Sequence, residues 1–230
     1  VKGIDRHYPF DTLIENGTAT PDLLSSQSHV RLSGQEQCEG VVGNALRFKA
    51  GSKGIVLGDL DIQAPATIAF WIQSDSSKND RRLFSQLEGA TTQSGALRIS
   101  QGELTVWNSK GWPTVVSGLS DKGIWQHVAV VFMEDGTVIG YLNGQKSQAA
   151  NSRFDFKGVQ AGIGSPFLGQ WGSSFEGDLD DIRIMNRALN DEEIKKLYPA
   201  ELFSKSSAAT AVKLTRFGKL AQNEYLTPVR

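Results

Sequence analysis

The sequence is short of the residues on which most chemistry depends. Its single cysteine, Cys38, cannot form an internal disulfide, so the fold is not a stapled scaffold. Glu36 and Glu39 flank that thiol. Nearby negative charge disfavours the thiolate, and Cys38 is expected to be structural rather than nucleophilic. There are three histidines, and neither His7 nor His29 has a partner at a metal-binding spacing. Net charge is nearly absent: 24 Lys and Arg against 25 Asp and Glu leave −1, which offers no attraction to nucleic acid or to an anionic membrane. No run approaches the ~18 consecutive apolar residues that a membrane span needs. Nucleophile-elbow, phosphate-loop and dinucleotide-binding patterns are missing. The opening residues, Val1 to His7, include neither an initiator Met nor an apolar leader core, so a processed piece with any targeting segment removed is expected.

What is present is a β pattern. Hydrophobic residues make up 39% of the chain and charged ones 21%, ordinary for a globular protein, and 230 residues fit one large sandwich. From about Gly43 to Ile184, short β-type runs alternate with Gly, Asn, Asp and Ser. Gly43 to Ala50 and Thr67 to Ser74 alternate apolar and polar residues, the mark of half-buried strands. Asp135-Gly136 and Asn143-Gly144 stand between β-rich runs and predict type I′ hairpin turns. About a dozen strands are expected, with turn signals every ~8–12 residues. One helix is predicted near the end. Asn190 precedes Asp191-Glu192-Glu193 in a capping-box arrangement, Ile194 and Leu197 share a face, and Pro199 stops the run.

A longer pattern runs through these elements. Trp125-Gln126-His127-Val128-Ala129, then Asp135-Gly136-Thr137, then Tyr141-Leu142-Asn143-Gly144, resembles the central signature of laminin-G-like jelly-roll domains. Phe175 to Ile184, with Asn186-Arg187-Ala188-Leu189 and the helix up to Tyr198, resembles that family's closing strand and helix. Tyr8-Pro9-Phe10-Asp11 resembles its first strand. The resemblance is to the concanavalin A-like lectin and glucanase superfamily. It implies an all-β, two-sheet antiparallel jelly-roll sandwich over residues 6–199 with a short C-terminal helix. Residues 200–230 are left as an extension or a linker to a neighbouring domain. It also implies a larger exported protein, expected to be bacterial and located outside the cytoplasm (secreted, periplasmic or at the cell surface), and frequently one structural calcium ion. Roles in the family range over glycan binding, protein binding and spacing, so the fold does not choose among them.

Calcium needs six to eight hard oxygens. Asp180 and Asp181 on the closing strand are expected to supply carboxylates, and Asp11 should join them if the first strand pairs with the last. Asn16, Gly17 and Asp22 could add oxygens, whereas ion pairs to Arg183 or Arg187 are the alternative. Glu176, Asp178 and Asp180 lie at i, i+2 and i+4 and should face one way. Some concanavalin A-like hydrolases carry their two catalytic carboxylates on one strand in this manner, but the Glu that ends the laminarinase-type run is missing. His127 is expected to be a core residue bonded to a backbone carbonyl. Trp71 and Trp125, within strands, are expected to be core. Trp107, Trp112 and Trp171 stand in or beside Gly-, Ser- and Asn-rich loops, where an indole can stack on a sugar face; packing under a loop is the alternative. The expected role is a non-catalytic recognition module, most readily for carbohydrate. The alternatives are a structural or protein-contact domain and a divergent glycoside hydrolase. A polysaccharide or a protein surface, together with neighbouring domains of a larger chain, are the expected partners.

Overall fold

A computed structural model describes residues 5–75, 80–87, 95–120, 123–164 and 173–198. Seventeen strands form among them: β1 (Arg6–Tyr8), β2 (Ala19–Asp22), β3 (Ser25–Arg31), β4 (Glu36–Glu39), β5 (Asn44–Phe48), β6 (Ile55–Asp59), β7 (Ala66–Ser74), β8 (Arg81–Gln86), β9 (Leu97–Ser100), β10 (Glu103–Val106), β11 (Thr114–Ser117), β12 (Gln126–Phe132), β13 (Thr137–Leu142), β14 (Gln145–Asn151), β15 (Gln160–Ile163), β16 (Ser173–Ser174) and β17 (Gly177–Met185). Among the described residues the one α-helix is α1 (Asp191–Leu197).

Two sheets face each other. One runs β14-β13-β12-β7-β17-β5-β4, with β1 pairing onto β17 past the end of β5. The other runs β11-β10-β9-β8-β15-β6, with β16 against β8. Inward side chains of both sheets meet in one aromatic-rich core that includes Tyr8, Phe48, Phe84, Phe132, Phe154 and Phe156, all buried. The expected all-β sandwich is therefore present. The first strand does pair with the last, Arg6 to Tyr8 lying antiparallel to Ile184 to Ile182.

Three local expectations need correction. The central strand β7 is buried on both faces rather than half-buried. Its outward residues Ala69 and Trp71 are covered by α1 and the segment around it, which build a second, smaller cluster of Ala69, Ala129, Val131, Tyr141, Leu189 and Ile194. The Asp135-Gly136 turn is not type I′, because only Gly136 takes positive φ; Gly136 N–H bonds back to Met133 O, as in a type I turn followed by a glycine bulge. Asn143 and Gly144 both take positive φ, so that turn is of the expected type. Trp125 stands just before β12 and is half-buried, not core.

The helix forms as read. The Asn190 side chain accepts from Glu193 N–H, and the Glu193 carboxylate accepts from Asn190 N–H. Ile194 is its buried anchor. Removing the cap in Asn190→Ala is expected to destabilise the domain by about 1 kcal/mol. Differential scanning calorimetry should show this as a Tm lowered by about 2–4 °C.

Candidate functional site

Two regions concentrate polar and aromatic side chains outside the sandwich core. The first is the connection from β10 to β11. It closes on itself through paired backbone hydrogen bonds between Asn108 and Gly111. The Asn108 side chain accepts from Lys110 N–H and donates to Asn151 O, which ties the connection to β14. This brings two of the expected indoles together: Trp107 and Trp112 lie 5.2 Å apart, tilted by 57°, and both are half-buried. Trp171 lies outside the described residues.

Beneath Trp112 is a pair that sequence reading missed. Arg82 on β8 and Arg98 on β9 are cross-strand partners, and their guanidinium carbons stand 4.2 and 4.5 Å from the Trp112 ring centroid. Like charges directly opposite each other destabilise a sheet. Here the indole offsets part of that through cation–π contact, worth about 0.5–2 kcal/mol for each cation. Burial, and then repulsion from Arg98, lower the Arg82 guanidinium to about 10, with Asp80 opposing both. Arg98 donates to Asp80 Oδ2 at 2.6 Å and through Nε to Thr105 Oγ1 at 3.2 Å. Asp80, Arg82 and Arg98 carry no motif, and only the β8–β9 pairing makes them neighbours.

The second region is the carboxylate group on the outer face of the larger sheet. β5 pairs with Gly177 to Leu179 of β17 and β1 with Ile182 to Ile184. Asp180 and Asp181 fall in the gap between them, and pairing with β7 is bulged between Asp180 and Arg183. Asp181 takes φ +48° there. The bulge breaks the alternation that would have sent the two carboxylates to opposite faces.

The turn Gly40–Asn44 dips into the same gap. Asp180 Oδ2 accepts the N–H groups of Val41 and Val42, and Asp11 Oδ1 accepts that of Asn44. A Cβ at Gly40 would lie 2.6 Å from Asp180 Oδ2, and one at Gly43 would lie 2.0 Å from Asp11 Oδ1, so glycine is what lets both carboxylates reach the turn. Burial, then Asp181, pushes the Asp180 carboxyl well above the usual carboxylate range, against the two N–H donors. Burial also raises Asp11. Asp180 Oδ1 is buried without a partner among the described residues.

Asp181 is committed elsewhere, to Arg183 and His7. Burial works against its ionisation, but Arg183 and then His7 hold its carboxyl below the usual range. Asp22 is not part of this group; it accepts from His7 N–H and Leu24 N–H and faces Arg6. Asn16 is exposed in the turn at Glu15–Gly17. Among the described residues no three His, Cys, Asp or Glu side chains form a ready metal-holding group. The orphaned oxygen of Asp180, with Asp11 on the same turn, fits a hard cation. The fit rests on two side chains, so backbone carbonyls and water would have to complete the six to eight oxygens.

Glu176, Asp178 and Asp180 do not form an open pair. Glu176 is bound by Arg81, Asp178 by Arg47, and Asp180 by the turn. His127 is buried beside Trp71 and Tyr198, as expected of a core residue, and burial lowers its imidazole to about 3. Its Nδ1, however, reaches no backbone carbonyl among the described residues.

Residues 49–195 match the family model of the concanavalin A-like lectin/glucanases superfamily known as Laminin_G_3. The chain belongs to this superfamily. No curated protein matches it in sequence. Solved structures of similar fold include domain 4 of AbnA, a GH43 extracellular arabinanase from Geobacillus stearothermophilus, in complex with arabinotriose. The TM-score is 0.66 at 19% identity, covering 86% of this chain and all of that domain. The binding domain of Paraclostridial Mosquitocidal Protein 1 gives a TM-score of 0.61 at 16% identity, over 86% of this chain and 52% of that one. Trypanosoma rangeli sialidase in complex with sialic acid gives 0.64 at 16% identity, over 87% of this chain and 33% of the sialidase. The Laminin_G_3 domain described here therefore spans about half of the second protein and a third of the third. At these identities the likeness is one of fold.

Proposed function

We propose that this Laminin_G_3 domain is a non-catalytic carbohydrate-recognition module of a larger exported protein, and that the Trp107–Trp112 hairpin is its sugar-stacking surface. The observation that carries this reading is the indole pair itself. Two half-exposed rings 5.2 Å apart stand on a hairpin closed by its own hydrogen bonds, with Trp112 seated on two guanidiniums. A ring held in place loses little freedom when a ligand stacks on it, and polar groups at its edge can orient the hydroxyls. The AbnA domain, of the same fold, was solved with arabinotriose, which supports a sugar as the ligand class. The non-catalytic part is supported by Arg81 and Arg47, which occupy the two carboxylates nearest a hydrolase pattern.

A structural calcium ion belongs to the same proposal. Asp180 and Asp11 would hold it, and it would supply the positive charge that the buried Asp180 carboxylate lacks.

Trp112→Ala is expected to weaken glycan binding by up to about tenfold, since a stacking contact is worth about 0.5–1.5 kcal/mol. The check is calorimetric titration against a panel that includes arabinotriose. Unchanged affinity would remove the hairpin as the site. A protein-contact role is the second reading. It is favoured by an apolar groove of about 460 Å³ beside the start of α1, lined by Val131, Met133, Ile139, Tyr141 and Leu189.

A further inference from the structure

Arg98, under Trp112, belongs to an ion pair with unused capacity on both partners among the described residues. Arg98 places its guanidinium carbon 4.5 Å from the centre of the Trp112 ring and gives Nε to Thr105 and Nη1 to Asp80. Its Nη2 has no partner among the described residues, and its side chain keeps 19% of its surface exposed. Stacking uses the face of a guanidinium and leaves its N–H edge available in plane. Among the described residues Asp80 is engaged through Oδ2 alone, and its side chain is 48% exposed. A charged donor and a charged acceptor therefore stand side by side next to a half-buried ring.

That arrangement has a chemical preference. A hydroxyl both donates and accepts, so neighbouring hydroxyls on a sugar can accept from Arg98 and donate to Asp80 at once. Hydrogen bonds to charged partners are the stronger kind. A carboxylate on the sugar has no proton to offer Asp80. It would also approach a guanidinium already neutralised at 2.6 Å, and would stand against the Asp80 charge in a site partly withdrawn from water. Arg82 is buried beneath the ring and serves to position Trp112 rather than to meet the ligand.

We propose that the ligand is a neutral sugar presenting adjacent free hydroxyls, oriented by Asp80 and Arg98 at the edge of Trp112, and that Asp80 excludes uronic acids. The inference rests on the reading of Trp112 as the stacking surface.

The test is titration of the full chain, as wild type, Asp80→Ala and Trp112→Ala, with arabinotriose, laminaritriose and cellotriose as neutral probes and trigalacturonate as the acidic one. The wild type is expected to bind at least one neutral probe at least about tenfold more tightly than trigalacturonate. Asp80→Ala should lose about tenfold on the neutral probe and gain on trigalacturonate, because Arg98 is then unneutralised; that gain should vanish in high salt. Two results overturn the proposal while leaving the stacking surface intact: wild-type binding of trigalacturonate at least as tight as of every neutral probe, or an Asp80→Ala protein with an unchanged preference, in each case with Trp112→Ala abolishing binding. If no probe binds, or if binding survives in Trp112→Ala, the proposal and the reading beneath it fall together.

Discussion

A chelator is expected to lower the Tm of this Laminin_G_3 domain by about 5–10 °C relative to saturating calcium near pH 8, and by less as the pH falls. The cause is Asp180. Its carboxyl is buried, stands near Asp181 and Asp11, and keeps one oxygen without a partner among the described residues. A carboxyl whose folded pKa is raised contributes stability below its unfolded value of about 3.9 and loses it as pH rises through the folded value. Without metal, ionising Asp180 therefore works against folding, and the raised Asp11 acts in the same direction. A bound cation stabilises the ionised form, so protons and calcium compete for the site and the gap between the two melting curves should widen with pH.

Other groups titrate without touching that gap. His127, lowered to about 3 by burial, must lose its proton to fold and so favours higher pH with or without metal. Asp181, held low mainly by Arg183, loses its contribution only in acid. The check is a set of melting curves with calcium and with chelator from pH 5 to pH 8, repeated on Asp180→Asn. That variant should lose the response to calcium. Superimposed curves for the wild type at every pH would remove the metal from this account.

A single methyl group at position 140 is expected to be the most damaging small change on the sandwich seam. An added Cβ on Gly140 of β13 would lie 2.0 Å from Val115 O and 2.7 Å from Val116 Cγ2 of β11. A flexible side chain could step aside, but a carbonyl oxygen moves only with its strand. β13 and β11 would have to part. Overpacking of this kind reaches about 3 kcal/mol, which corresponds to a Tm lowered by about 6–12 °C.

The position also matters for function. β11 follows directly on the Trp107–Trp112 hairpin, and Ser117 on it is hydrogen-bonded to Ser147 and Gln148 of β14. Gly140→Ala should therefore weaken glycan binding as well as stability. Thermal unfolding followed by tryptophan fluorescence reads both the Tm and the environment of the indoles. A Tm within about 1 °C of wild type would mean that the seam has slack the geometry does not show.

Much of the architecture was legible in the sequence because its signals act over a few residues. Asn143-Gly144 takes its hairpin turn because both positions need positive φ. Asn190 and Glu193 cap the helix because each satisfies the other's backbone N–H. The closing run from Phe175 to Ile184, read with Tyr8 to Asp11, identified the superfamily and the pairing of first and last strands.

What escaped the sequence depends on contacts between distant segments. Period-two alternation made β7 a half-buried strand, since it carries no information about a helix that covers the second face. Nor does alternation foresee the bulge at the junction of β5 and β1 that sets Asp180 and Asp181 together in the gap. From the sequence, Asp11 is expected to join Asp180 and Asp181, and Asp22 to add an oxygen. The path of the chain sent one to the Gly40–Asn44 turn and the other to His7 and Arg6. The sequence by itself determined the sandwich, its hairpins, its cap and the candidate tryptophans. Tertiary structure alone decided that Arg82 and Arg98 should lie opposite each other under Trp112 with Asp80 at the rim, because strand register is settled by burial across the whole sheet rather than by the residues being paired.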